Sequence, residues 1–104
     1  FRLKILAEDF RAAGTAVLDS LAEYAKEQPG WSIAPDNCEG VRVNLDKAHG
    51  DGWFLLRLSL HDPILPLNIE SSREHGARTI ARELAPFLAQ QTEIDASPAL
   101  EFTL

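Results

Sequence analysis

Two extended segments separated by a glycine-containing turn dominate the middle of the chain. From Glu39 to Leu45, apolar residues alternate with polar ones, and Trp53 to Leu60 follows as a second hydrophobic strand. Between them, His49-Gly50-Asp51-Gly52 contains two glycines, which tolerate the positive φ angles of tight turns. This pattern predicts an antiparallel β-hairpin.

Amphipathic helices are predicted on both sides of the hairpin. Apolar residues at helical spacing indicate one helix that opens at Glu8 and Asp9 and ends at Gln28-Pro29-Gly30. A second helix follows Ser71-Ser72-Arg73-Glu74, which matches the capping-box pattern of a helix N-terminus. Three further strands are predicted at Phe1 to Leu6, Trp31 to Ala34 and Ile64 to Glu70. In the last of these, Pro66 favours an edge position or a break in the ladder.

This order of elements predicts an α+β fold in two layers. We expect a mainly antiparallel sheet of about four strands with two helices packed on one face. Residues 1–91 form a single domain in this prediction, and residues 92–104 form a C-terminal tail without helical periodicity. The last residues of the tail, from Glu101 to Leu104, are expected to form a strand or no regular structure.

Length and composition limit the kind of protein. The chain has 104 residues, which suits one compact domain, but it contains no methionine and begins at Phe1. We therefore expect a fragment of a longer, multidomain chain. The formal net charge of −6 disfavours nucleic acid as a partner. The longest apolar runs fall short of the ~18–20 residues that a membrane span needs, so no membrane partner is expected.

Few residues suggest catalysis or metal binding. The single cysteine, Cys38, has no adjacent basic residue that would activate it as a nucleophile, and it fits a reducing compartment such as the cytoplasm. The three histidines, His49, His61 and His75, lack the spacing of zinc ligands. We predict no catalytic residue, no metal ligand and no cofactor within these residues.

The segment from Arg57 to Pro63 has the composition of a small anion site. Arg57 and Ser59 alternate on one strand face, and both side chains donate hydrogen bonds. A guanidinium matches two phosphate oxygens, and the loop that follows offers backbone N–H groups. A second interpretation fits the same residues: a surface arginine paired with an acid, and an ordinary turn at Asp62-Pro63.

The stretch from Gly52 to Pro63, followed by an apolar strand and a helix, resembles the last domain of the α-D-phosphohexomutases, which include phosphomannomutases and phosphoglucomutases. In that family a strand ending in Arg-x-Ser-Asn/Gly-Thr-Glu-Pro enters a loop that holds the substrate's phosphate. Residues Glu39-Gly40-Val41-Arg42-Val43 are similar to the start of the preceding family strand. The resemblance covers about residues 37 to 90.

The resemblance implies a TBP-like C-terminal domain that binds the phosphate of a hexose phosphate through Arg57, Ser59, Leu60 and His61. Leu60 and His61 depart from the family's Asn or Gly and Thr. Leu60 offers only its backbone N–H, whereas His61 donates through its ring most fully when protonated. The resemblance also implies that other domains of the parent chain supply a phosphoserine and Mg²⁺ for reversible 1,6-phosphate transfer, with a hexose 1,6-bisphosphate as intermediate. The alternative is a protein-interaction module that keeps the fold without catalysis.

Overall fold

An open antiparallel sheet forms the centre of the computed structural model, which describes residues 1–34 and 40–104. Its strands in chain order are β1 (Arg2–Ile5), β2 (Trp31–Ile33), β3 (Gly40–Leu45), β4 (Gly52–Arg57), β5 (Ile64–Ser71) and β6 (Ile94–Asp95). The helices are α1 (Phe10–Lys26), α2 (Gly76–Ala89) and α3 (Ser97–Phe102). Across the sheet the order is β2-β3-β4-β5-β1-β6, with every neighbouring pair antiparallel.

The predicted hairpin is confirmed as the β3–β4 pair. Its register runs from Gly40 opposite Arg57 to Leu45 opposite Gly52. A short 3₁₀ turn, Lys47–His49, closes the connection and ends at Gly50, whose φ is +119°. A side chain at Gly50 would also collide with α2, because a Cβ built there lies 2.5 Å from Ile80 Cγ1. Glycine is therefore required at Gly50 both by backbone conformation and by space.

The hydrophobic core lies between one face of the sheet and the helices. Alternate strand residues point into it, and the apolar stripes of α1 and α2 cover them. Each large side chain buried there contributes about 1.5–3 kcal/mol. The large fully buried members are Leu3, Leu21, Val43, Phe54, Leu56, Leu65, Leu67, Ile80, Leu84 and Leu88. The fold is thus a small α+β domain, with more strands and one more helix than expected.

The second helix begins later than its sequence pattern predicts. Ser71 lies at the end of β5, and its Oγ donates to the backbone oxygen of Gly50 while accepting from the N–H of Arg73 at 3.1 Å. The helix starts at Gly76, and its N-cap residue is His75, with a φ of +61° and no side-chain cap. The predicted capping box is wrong because the hydroxyl of Ser71 donates to the backbone of the β3–β4 turn instead of capping the helix.

The C-terminal residues pack into the core, where little regular structure was expected. Ile94 pairs with Ile5 of β1, and Ile94 and Ala99 are buried. Asp95 accepts a hydrogen bond from the backbone of Ser97 at 3.0 Å at the start of α3. Hydrogen bonds from the side chain and backbone of Ser97 lower the pKa of Asp95, and the nearby Lys4 charge acts in the same direction. Glu101 and Phe102 form the end of α3, and Thr103 and Leu104 follow it without helix or strand. The strand alternative for Glu101 to Leu104 is therefore wrong.

Within the described ranges, none of the helices has both the length and the apolar character needed to cross a bilayer. Cys38, the predicted inert thiol, lies outside the described residues, as does Glu39, the first residue of one predicted strand.

Candidate anion-binding site

Strand β4 presents Arg57 on the sheet face that the helices leave open. Phe54 and Leu56 are fully buried against the helices, whereas Arg57 is half-buried on the opposite face. Leu58 again packs against the core, close enough to α1 that a Cβ on Gly14 would lie 2.6 Å from Leu58 Cδ1. The strand ends at Arg57, short of the predicted Leu60. Because Arg57 and Ser59 flank this inward-facing leucine, continued alternation of the extended chain would place both on the open face.

The strand then separates from β5 at a proline. The paired register of β4 and β5 extends from Gly52 opposite Ser71 to Leu56 opposite Leu67, next to Pro66. Proline has no N–H to donate, so the ladder is interrupted there although β5 is an interior strand. The edge position suggested by Pro66 is therefore wrong, whereas the break is present. One further bond, from Ser59 N–H to the Ile64 oxygen at 3.1 Å, closes the base of the loop.

The loop from Leu58 to Pro63, which we call the 58–63 loop, has uncommitted hydrogen-bond donors. Asp62 donates its N–H to Ser59 Oγ at 3.3 Å, and this leaves the Ser59 hydroxyl proton free for an external acceptor. Within residues 1–34 and 40–104, no hydrogen bond engages the backbone N–H of Leu60 or His61. The guanidinium of Arg57 likewise has no hydrogen bond or ion pair with another described residue.

The helix layer also reaches this loop, which the sequence did not indicate. Arg11, in the first turn of α1, donates from Nη2 to the backbone oxygen of Leu60 at 3.1 Å. The two residues are 49 positions apart, so no local motif connects them. Asp9 fixes the start of this helix by accepting the N–H of Ala12 at 3.1 Å, which positions Arg11 over the loop.

The chemistry available here is anion binding. Arg57 supplies a charge, Ser59 a hydroxyl, and Leu60 and His61 two backbone N–H groups at the end of one strand. The side chains of Leu60, His61 and Asp62 are exposed. The described parts of the chain contain no group of three or more His, Cys, Asp or Glu placed to hold a metal ion.

A cavity at the other end of β4 does not suit a phosphate. It has a volume of about 410 Å³ and its described lining contains the carboxylates of Asp51 and Glu70 but no cation. Trp53, Ser71 and Ser72 also contribute to the wall. Like charge from the two carboxylates repels an anion, so the 58–63 loop, which follows an arginine without a partner among the described residues, is the better candidate.

The remaining histidines have structural surroundings. His49 Nδ1 lies 3.0 Å from Glu83 Oε1, and the same oxygen accepts the indole N–H of Trp31 at 3.0 Å. This arrangement ties the β3–β4 turn and β2 to α2. His75 is exposed beside Glu74 at the start of α2.

No protein-family model matches the chain, and no curated protein or solved structure matches it either. The geometry of the 58–63 loop therefore carries the functional interpretation.

Proposed function

We propose that this chain is the substrate-phosphate-binding C-terminal domain, TBP-like in fold, of a phosphohexomutase. The observation that carries the proposal is the guanidinium of Arg57, which lies two residues before Ser59 and is half-buried without a partner among the described residues. A buried or half-buried arginine is ordinarily paired, because desolvating a charge without compensation is unfavourable. An external anion would complete this site.

Each group in the site has a distinct role in the proposal. Arg57 binds two phosphate oxygens through its planar fork, and Ser59 donates to one of them. Leu60 and His61 contribute backbone N–H groups, so the nature of their side chains matters less than the course of the backbone. A phosphate loop can therefore contain Leu60 at the position where the α-D-phosphohexomutases have Asn or Gly.

The proposed ligand is a hexose phosphate, held by the phosphate that does not react. Binding of that phosphate would hold the sugar in a fixed orientation, so that its other end is placed for the phosphate transfer in the other domains. The other domains of the parent chain supply the phosphoserine and Mg²⁺, and a hexose 1,6-bisphosphate is the intermediate. Within the described residues, the domain itself would contribute binding and orientation.

Amide chemical-shift titration tests the assignment. Glucose 6-phosphate and glucose 1-phosphate are added to the chain, with unphosphorylated glucose as the ligand control. The variant Arg57→Gln should weaken phosphate binding roughly ten- to a hundredfold, because a charge-assisted hydrogen bond is lost. The control is Arg73→Gln, which removes the same charge from an exposed arginine that donates to the Lys47 oxygen at 2.8 Å.

The control variant should bind both sugar phosphates like the unmodified chain. Equal losses in Arg57→Gln and Arg73→Gln would mean that only the overall charge matters. Unchanged binding in Arg57→Gln would overturn the assignment of the site.

One observation favours a second candidate, a protein-interaction module without catalysis. Leu60 is 58 % exposed at the tip of the loop, where an apolar side chain suits a protein surface better than a sugar phosphate. The substitution Leu60→Asn separates the two functions. It should leave phosphate binding within about twofold if the backbone N–H carries the contact, and it should abolish association if Leu60 anchors a partner.

A further inference from the structure

We infer that Arg11 is a positioning residue of the anion site, acting by fixing the orientation of the peptide unit between Leu60 and His61. This inference deepens the proposed function and depends on it for the ligand, but not for the geometry. Arg11 donates a hydrogen bond from Nη2 to the Leu60 carbonyl oxygen, at 3.1 Å.

The hydrogen bond from Arg11 sets the direction of that carbonyl. Helix α1 covers the core face of the sheet, and Arg11 extends from its first turn to the 58–63 loop. The Leu60 oxygen therefore points toward the helix layer. Arg57 projects from the other face of β4, and Ser59 follows two residues later.

The planarity of the peptide bond then sets the direction of the neighbouring donor. In a trans peptide the C=O and the following N–H point in opposite directions, and the described residues contain no cis peptide. With the Leu60 oxygen turned toward α1, the N–H of His61 is turned away from α1. It consequently faces the side of the loop on which Arg57 and Ser59 lie.

No other hydrogen bond among the described residues engages this peptide unit. The His61 N–H has no partner among the described residues, and the Leu60 and His61 side chains are exposed. In the absence of Arg11, rotation of the peptide unit would turn the His61 N–H away from the anion site. A ligand would then have to reorder the loop on binding, which weakens affinity.

The substitution Arg11→Ala tests this role, with Arg73→Ala as the matched control. Both remove an exposed arginine that donates to a backbone oxygen, but Arg73 donates to Lys47 in the β3–β4 turn. The first readout needs no ligand: hydrogen exchange and ¹⁵N relaxation of the His61 amide. The second is the affinity for glucose 6-phosphate.

We expect Arg11→Ala to raise the mobility of the His61 amide and to weaken glucose 6-phosphate binding roughly three- to tenfold. Arg73→Ala should change neither. An unchanged His61 amide in Arg11→Ala at both low and high salt would overturn the positioning role, even if affinity fell, because the loss would then come from charge alone.

The two proposals fail in different ways. If the unmodified chain shows no response to any sugar phosphate, the proposed function fails while the ligand-free readout still decides the role of Arg11. If Arg57→Gln abolishes binding but Arg11→Ala leaves both readouts unchanged, the site stands and the positioning role is wrong.

Discussion

The two ends of strand β4 are built in opposite ways. At the end that begins with Gly52, the preceding turn is enclosed: Ser71 and Ser72 bond to the Asp51 backbone oxygen, and Arg73 bonds to Lys47. At the end that finishes with Arg57, some carbonyl oxygens of the 58–63 loop are bonded, but several of its donors have no partner among the described residues.

This difference concerns whether the polar groups at each end of β4 are bonded within the fold or are available to a ligand. A polar group satisfied within the fold stabilises it but is not available to a ligand, whereas an unsatisfied donor favours binding. In the proposed function, the enclosed turn is the structural end of β4 and the 58–63 loop is its binding end. Substitutions should divide in the same way, affecting stability at one end and phosphate affinity at the other.

The largest expected effect on stability is at the enclosed turn. In Gly50→Ala, the added methyl group meets the Ile80 side chain, and a non-glycine residue is forced to a φ of +119°. Strain and overpacking together should lower the free energy of unfolding by about 2–4 kcal/mol. Chemical denaturation measures this loss.

The control for this substitution lies at the binding end. Pro63→Ala changes an exposed loop residue and should lower stability by at most about 1 kcal/mol, because the unfolded chain gains conformational freedom. Equal stability losses for the two variants would remove the distinction between the ends of the strand.

A matched pair of serine substitutions gives an intermediate effect. Ser71→Ala removes a half-buried hydroxyl that bonds to the hairpin backbone, so it should lower the unfolding free energy by about 1 kcal/mol without changing phosphate affinity. Ser59→Ala should do the reverse, with little loss of stability and roughly a three- to tenfold loss of affinity. Chemical denaturation and glucose 6-phosphate titration of both variants check this. An affinity loss in Ser71→Ala, or a stability loss of about 1 kcal/mol in Ser59→Ala, would contradict the prediction.

The smallest effect should come from the acid beside the loop. Asp62 is exposed and its carboxylate repels a bound phosphate. In Asp62→Asn the affinity for glucose 6-phosphate should rise by about twofold at low salt, and the gain should shrink as salt is added. A fall in affinity would show that this carboxylate supports the loop or contacts the sugar.

Sequence patterns predicted the elements whose residues are close together in the chain. The β3–β4 hairpin follows from alternation and a glycine turn, and α1 follows from a 3.6-residue period with Asp9 at its start. The placement of Arg57 and Ser59 on one face follows from strand geometry alone.

Features that depend on tertiary contacts were missed. Strand β6 has only two residues, and it forms because Ile94 pairs with Ile5 at the far end of the chain. The Ser71 hydroxyl matched a helix cap in sequence but bonds to Gly50 in space. Arg11 gave no signal, because its link to Leu60 exists only once α1 packs on the sheet. Sequence patterns predict contacts between residues that are near each other in the chain, whereas these contacts form only when distant segments pack together.

A single titration of the unmodified chain with glucose 6-phosphate, followed by backbone amide shifts, tests the central claim most directly. Both ends of β4 report in the same spectrum. We expect the amides of Leu60 and His61 to move in a saturable way while those of Asp51 and Ser72 stay fixed. Saturable shifts at Asp51 and Ser72 with none at Leu60 and His61 would contradict the account.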